Sequence, residues 1–199
     1  NGKTHMNIIS CPYHGYTFNG QNGSLMNILG FPKHEYYNNS EIDCYKVCEH
    51  LGLVYLNINN TDHEEPKIWN EPESLNKNFS YIFLSEIFDH KAKYVSINSL
   101  DIGHISVVHT FGNKKNPLPY NISEIEKLDD IDNHYRITYK YKTGENSLVK
   151  KVYNIDDLII ENEFILPHTT IARVIFNKYV STVITYAQPI SKFKTKLYV

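Results

Sequence analysis

The sequence predicts an α+β fold, and three observations carry that prediction. The first sixty residues are short strand-like runs broken by turns; one helical stretch falls at Asn98–His109; from His134 onward apolar and polar residues alternate. Strands gathered after a helical segment, rather than interleaved with helices, indicate α+β and argue against a parallel α/β sheet. The 199 residues suffice for a core and for one or two domains.

Taken in order, Asn7–Ser10 reads as a strand entering a turn at Cys11-Pro12-Tyr13-His14-Gly15. Thr17-Phe18 followed by Asn19-Gly20-Gln21-Asn22-Gly23 is a hairpin signal. Cys44–Cys48 and Leu51–Ile58 are expected to pair through a tight turn around Glu49-His50. From Asn60 to Asn78 the chain is polar and carries Pro66 and Pro72, which suits a linker. Asn98–His109 is expected to be helical, with Ile97, Leu100, Ile105 and Val108 as candidate core positions. Pro117 and Pro119 then interrupt it, and Ser123–Asp132 is charged without a clear period. Tyr135, Ile137, Tyr139 and Tyr141 would share one face of a strand. Ser147–Tyr153, Leu158–Leu166, Thr169–Tyr179 and Ser181–Pro189 are further expected strands. The resulting organisation is an all-β domain over 1–60, a junction over 61–85 and an α+β domain over 86–199.

Twenty basic against twenty-two acidic residues leave a net charge of −2, which excludes a partner held by bulk charge, such as nucleic acid. No apolar run approaches the ~18 residues that a transmembrane helix needs. Three cysteines do not make a disulfide scaffold, and a reducing compartment, the cytoplasm or an organelle interior, is expected. Cys44 and Cys48, four apart in a strand-like run, read as structural thiols. Position 1 is Asn, so the sequence is expected to begin partway into a longer protein.

Two constellations carry chemistry. In the first, Cys11 and His14 sit three apart on a turn that Pro12 and Gly15 let double back, a spacing suited to metal ligation. In the second, Asn98, Asp101, His104 and His109 lie within one short segment. On a regular helix Asp101 and His104 differ by about 60° and share a face, whereas His104 and His109 are splayed by about 140°. Both imidazoles can reach one metal only if the helix loosens or ends between them, and Gly103 with the β-branched Ile105, Val107 and Val108 favours that.

The string Cys11-Pro12-Tyr13-His14-Gly15-Tyr16-x-Phe18-x-x-x-x-Gly23 closely resembles the second half of the Rieske motif. Asn98-x-x-Asp101-x-x-His104-x-x-x-x-His109 resembles the iron-binding segment of Rieske non-haem iron oxygenases, and the two motifs follow in that family's order. The resemblance is to the catalytic, or α, subunit type. It implies the C-terminal part of a Rieske domain, followed by the first part of a helix-grip (START-like) catalytic domain. Cys11 would bind one iron of a Rieske 2Fe-2S cluster and His14 the other. The partner Cys-x-His loop would precede Asn1. His104 and His109 would be two ligands of a mononuclear Fe(II), with a carboxylate from beyond Val199 as the third. Asp101 would bond a ligating histidine and relay electrons between subunits, and Asn98 would lie near the open iron positions.

The implied activity is hydroxylation, demethylation or another oxidation of a small organic substrate by O2. Electrons would come from NAD(P)H through a reductase or ferredoxin, and a trimer-type homo-oligomer would be the assembly. Tyr16 stands where the family usually has Trp, and Tyr94-Val95-Ser96-Ile97 replaces the Trp-Lys of ring dioxygenases, which leans toward monooxygenases and demethylases. The alternatives are a Rieske ferredoxin-like electron-transfer module and a non-catalytic binder of hydrophobic ligands with a degenerate iron site.

Overall fold

The structure is a computed structural model that describes residues 2–30, 40–58, 65–109 and 112–199. Residues 61–64, the start of the expected junction, lie outside the described residues. Two compact units are present, Asn1–Ile68 and Trp69–Val199.

The first unit is built from short strands. β1 (Lys3–His5), β2 (Ile8–Ser10), β3 (Thr17–Asn19) and β4 (Leu25–Asn27) form an antiparallel sheet in that order. The expected hairpin is present: Gly23 N–H donates to Asn19 O at 2.8 Å, and Asn19 Oδ1 accepts from Gln21 N–H at 2.8 Å. β5 (Val47–His50) pairs with β6 (Leu53–Leu56) as a separate hairpin. Its turn lies at Leu51-Gly52 rather than at Glu49-His50, because those two residues are the pair at positive φ, 47° and 77°, that a tight hairpin turn requires.

The second unit is one antiparallel sheet with helices against it. Its strands are β7 (Ser85–Phe88), β8 (Glu126–Leu128), β9 (His134–Lys142), β10 (Asp157–Ile165), β11 (Thr169–Phe176), β12 (Tyr179–Ser191) and β13 (Lys194–Tyr198). They are arranged β7-β13-β12-β11-β10-β9-β8. Ile137, Tyr139 and Tyr141 do share a face: Tyr139, Tyr141 and Ile160 are buried together, with Ile137, Leu158 and Val174 packed on them. The chain is thus mostly β with a few helices.

Three expectations change here. The stretch 98–109 is not one helix: α1 (Ala92–Leu100) stops at Asp101, and α2 (Ile105–Val108) is a single turn. Ile97 and Val108 are not core residues, being 57% and 68% exposed, whereas Ile105 packs on the Tyr139 cluster. Ser147–Tyr153 is not a strand. Ser147 caps α3 (Leu148–Tyr153) by accepting the Lys150 N–H at 3.1 Å, and Asn154 closes it in the left-handed region. These caps outweigh the strand preference of Val149 and Val152. Ser147→Ala is expected to lower stability by about 1 kcal/mol in chemical denaturation, the ordinary effect of deleting an N-cap. An unchanged midpoint would show that packing alone holds α3.

Candidate active site

α1 lies over β10, β11 and β12, and after Leu100 the chain leaves the helix. Asp101 Oδ1 accepts the Gly103 N–H at 2.8 Å, a local turn that turns the chain back toward the sheet. Ile102 and Ile105 then pack on the Tyr139–Tyr141–Ile160 cluster, and the Tyr141 hydroxyl donates to Ile102 O. His104 and His109 are the two ends of α2, as N-cap and C-cap. The splay of a regular helix disappears because His109 has already left it, with extended φ and ψ of −94° and 145°.

The consequence is that His104 Nε2 and His109 Nε2 lie 3.2 Å apart. His104 Nδ1 is 2.7 Å from the carbonyl oxygen of Asp101, which can only accept, so Nδ1 carries the proton and the lone pair of the neutral ring is on Nε2, facing His109. The carboxylate of Asp101 is farther away, with Oδ2 3.9 Å from Nδ1. The backbone rather than the side chain of Asp101 therefore orients this imidazole. Gly112 holds the returning chain close, since a Cβ there would lie 2.4 Å from Ser106 Cα.

The imidazole pair opens on a cavity of about 920 Å3. Asn98, Ser99, His104, Ile105 and His109 form one wall; the opposite wall is the β9–β12 face bearing Tyr139, Ile160, Asn162, Ala172 and Val174. Burial pushes the Tyr139 phenol well above its usual range, so it remains protonated, and it accepts the Asn162 Nδ2–H at 2.9 Å.

Two imidazole nitrogens bound to one metal at ~2.1 Å and near-right angles stand ~3 Å apart, and His104 and His109 match that. The donor set thus fits half of a histidine-rich metal site. Among the described residues no group of three or more His, Cys, Asp or Glu could hold a metal.

In the first unit, Cys11 and His14 occupy one tight turn between β2 and β3, closed by Cys11 N–H to Tyr16 O at 2.8 Å and Gly15 N–H to Cys11 O at 3.0 Å. The His14 ring lies between Tyr13 and Tyr16, at centroid distances of 4.1 and 5.8 Å. Cys44 and Cys48 are partly buried and form no disulfide among the described residues; Cys48 Sγ donates to Pro66 O at 4.0 Å.

The other face of the large sheet holds an ionic cluster that the sequence did not announce. Arg173 donates to Glu163 Oε1 at 2.6 Å and, through Nε, to Glu73. Arg136 and His134 also bond Glu163, at 2.8 and 2.9 Å, and His134 Nδ1 is 2.7 Å from Asp130. Trp69 donates to Asp130 at 3.0 Å, and Tyr186 donates to Glu71. Alternation placed these strand residues away from the cavity. That Glu71 and Glu73 would join them was hidden in a stretch whose polarity reads as linker.

The sequence matches no protein-family model and no curated protein. The structure does have relatives. It is similar to Pseudomonas putida CBB5 NdmA with caffeine, with a TM-score of 0.75 and 18% identity, over 99% of this chain and 56% of that one. It is also similar to dicamba monooxygenase bound to dicamba, at 0.69 and 16% identity, over 99% and 60%. A third is the terminal oxygenase of carbazole 1,9a-dioxygenase from Nocardioides aromaticivorans IC177, at 0.65 and 13% identity, over 100% and 59%. The class that fold defines is one shared with solved oxygenases, and at these identities the likeness is of fold. The chain spans little more than half the length of these proteins. No helix among the described residues is long and apolar enough to cross a membrane.

Proposed function

We propose that this chain carries cluster-binding and iron-binding elements of a Rieske non-haem iron oxygenase acting on a small organic substrate. The observation that carries the reading is the His104–His109 pair, with Nε2 atoms 3.2 Å apart at the wall of a largely apolar cavity. Its fold is that of solved oxygenases, which adds support. In this reading residues 1–60 belong to the cluster domain, 61–85 to a junction and 86–199 to the catalytic domain.

His104 and His109 would hold a mononuclear iron through Nε2, and a facial triad requires one carboxylate more. Cys11 and His14 would each serve one iron of a Rieske cluster. The chemistry supplied there is reductive activation of O2, with NAD(P)H electrons delivered through a reductase or ferredoxin. The chain's own contributions are distinct. The Asp101 carbonyl fixes the tautomer of His104, and the Asp101 carboxylate holds the turn that sets its backbone. Tyr139, Ile160, Ala172 and Val174 contribute apolar surface to the cavity wall facing the imidazole pair. Asn98, on the last turn of α1, lines the same space.

Anaerobic titration of the full chain with Fe(II), followed by calorimetry, tests the iron site. His104→Ala is expected to weaken binding by more than ~100-fold, because a ligand matters at least as much as the outer-shell partners worth ~10–100-fold. Asp101→Asn, which keeps the carbonyl, is expected to retain most of the affinity. Equal Fe(II) affinity in His104→Ala and the unaltered chain would refute the assignment.

A further inference from the structure

The two faces of the β9–β11 region differ in what they carry. Arg136, Glu161, Glu163 and Arg173 are at positions whose side chains leave the cavity side, as the register Glu163↔Arg136 and Glu161↔Arg173 requires. On the cavity side the equivalent positions are Tyr139, Ile160, Asn162, Ala172 and Val174. Lys142 reaches the cavity from the end of β9, but its ammonium is 2.6 Å from the Asp157 carboxylate, so its charge is already matched. Among the described lining residues Lys142 is the one Lys, Arg, Asp or Glu.

Asn162 stands out on that wall. It is 4% exposed, in the middle of the sheet between Ile137 and Ala172. Burying an amide in apolar surroundings costs ~1–3 kcal/mol unless it is hydrogen-bonded. An asparagine offers two N–H donors and a carbonyl acceptor. The Tyr139 oxygen takes one N–H, and because Tyr139 is fully buried, that bond fixes the amide's orientation. The second N–H and the carbonyl oxygen are what the amide adds to the cavity wall.

We propose that Asn162, anchored by Tyr139, is a specificity-determining residue that hydrogen-bonds the polar group of an otherwise apolar, uncharged substrate. The inference deepens the oxygenase reading, since it assigns a substrate class to the same cavity. An amide or lactam is the best complement, pairing its own C=O and N–H with those of Asn162. Among the described lining side chains an anion meets no unmatched Lys or Arg, and in the metal-free chain it loses its hydration on entry. A cavity of about 920 Å3 accepts a two-ring molecule.

The test compares three probes of one size: naphthalene, quinolin-2(1H)-one and 2-naphthoate. Dissociation constants are measured by calorimetry on the metal-free full chain, so that failure here and failure of the Fe(II) titration are separate results. The unaltered chain is expected to bind the quinolinone at least tenfold more tightly than 2-naphthoate. Asn162→Leu should weaken quinolinone binding about tenfold, the loss of one or two neutral hydrogen bonds, and leave naphthalene unchanged or tighter. Tyr139→Phe, which keeps the ring's shape, should cut the quinolinone preference at least threefold and decides the matter if the leucine variant does not fold. A quinolinone-to-naphthalene ratio unchanged in either folded variant, or 2-naphthoate as the tightest probe, would overturn the proposal.

Discussion

Arg173→Met is expected to lower folding stability by about 3–5 kcal/mol, the cost of removing one partner from a buried ionic cluster. Glu163 is 1% exposed, so the carboxylate left behind there cannot turn to water. Glu73 loses the guanidinium as well and keeps the Thr182 hydroxyl at 2.8 Å and a backbone N–H. Urea denaturation of the full chain measures the effect. Adding Glu73→Gln should recover part of the loss, because the two residues touch and their effects are coupled. A loss within ~1 kcal/mol would show that the cluster is solvated. The same cluster gives an acid limit to stability. Burial pushes the Glu73 carboxyl up, but hydrogen bonds from Arg173 and Thr182 and the charge of Arg173 outweigh that and leave it below its usual value. Its contribution is therefore complete above the ordinary carboxylate range of ~4.3 and is lost as pH falls through the lowered value.

Gly23→Ala is expected to disorganise the first unit. A Cβ at position 23 would lie 2.0 Å from Ile42 O, and the residue sits at φ +74°. Gly23 O also accepts the Ile42 N–H at 3.0 Å, and Leu25 N–H donates to Ser40 O at 2.9 Å, so the backbone cannot retreat without breaking these bonds. Left-handed strain of ~1–2 kcal/mol adds to overpacking of ~1–3 kcal/mol. Hydrogen exchange should show lost protection at Gly23, Leu25 and Ile42 with the large sheet unchanged. Retained protection at Ile42 would contradict the close approach.

Gly23 also shows what a sequence can reveal. It appears as the last letter of the motif that begins at Cys11, and its physical reason is the φ and the contact just described. The alternation of Ile137, Tyr139 and Tyr141 was equally readable, because a strand with two different faces writes a period of two into the chain. For both imidazoles to reach one metal, the spacing of His104 and His109 required the helix to loosen or end between them, yet the residues between them form the turn α2. The break comes before His104, at an Asp101–Gly103 turn, and His109 escapes at the other end. α3 was hidden because Val149 and Val152 suggest a strand while the caps Ser147 and Asn154 decide for a helix. β7 and β13 pair residues far apart in sequence, Ser85 with Tyr198 and Phe88 with Thr195, and no local signal encodes that. Glu71 and Glu73 were misleading for a related reason. A carboxylate destined for a buried arginine is spelled like one destined for water.

The two-sidedness of the large sheet bears on how such a protein can change over time. Residues 139, 160, 162, 172 and 174 touch the cavity, and 136, 163 and 173 hold the ionic cluster, yet they interleave along the same strands. Substitutions at Asn162 and Ala172 can alter what the cavity admits without touching the ionic cluster, whereas Tyr139 and Ile160 line the cavity and also form the core of the sheet. Change in what such a cavity admits is therefore open at a few positions of β10 and β11, set directly beside others that hold the sheet together.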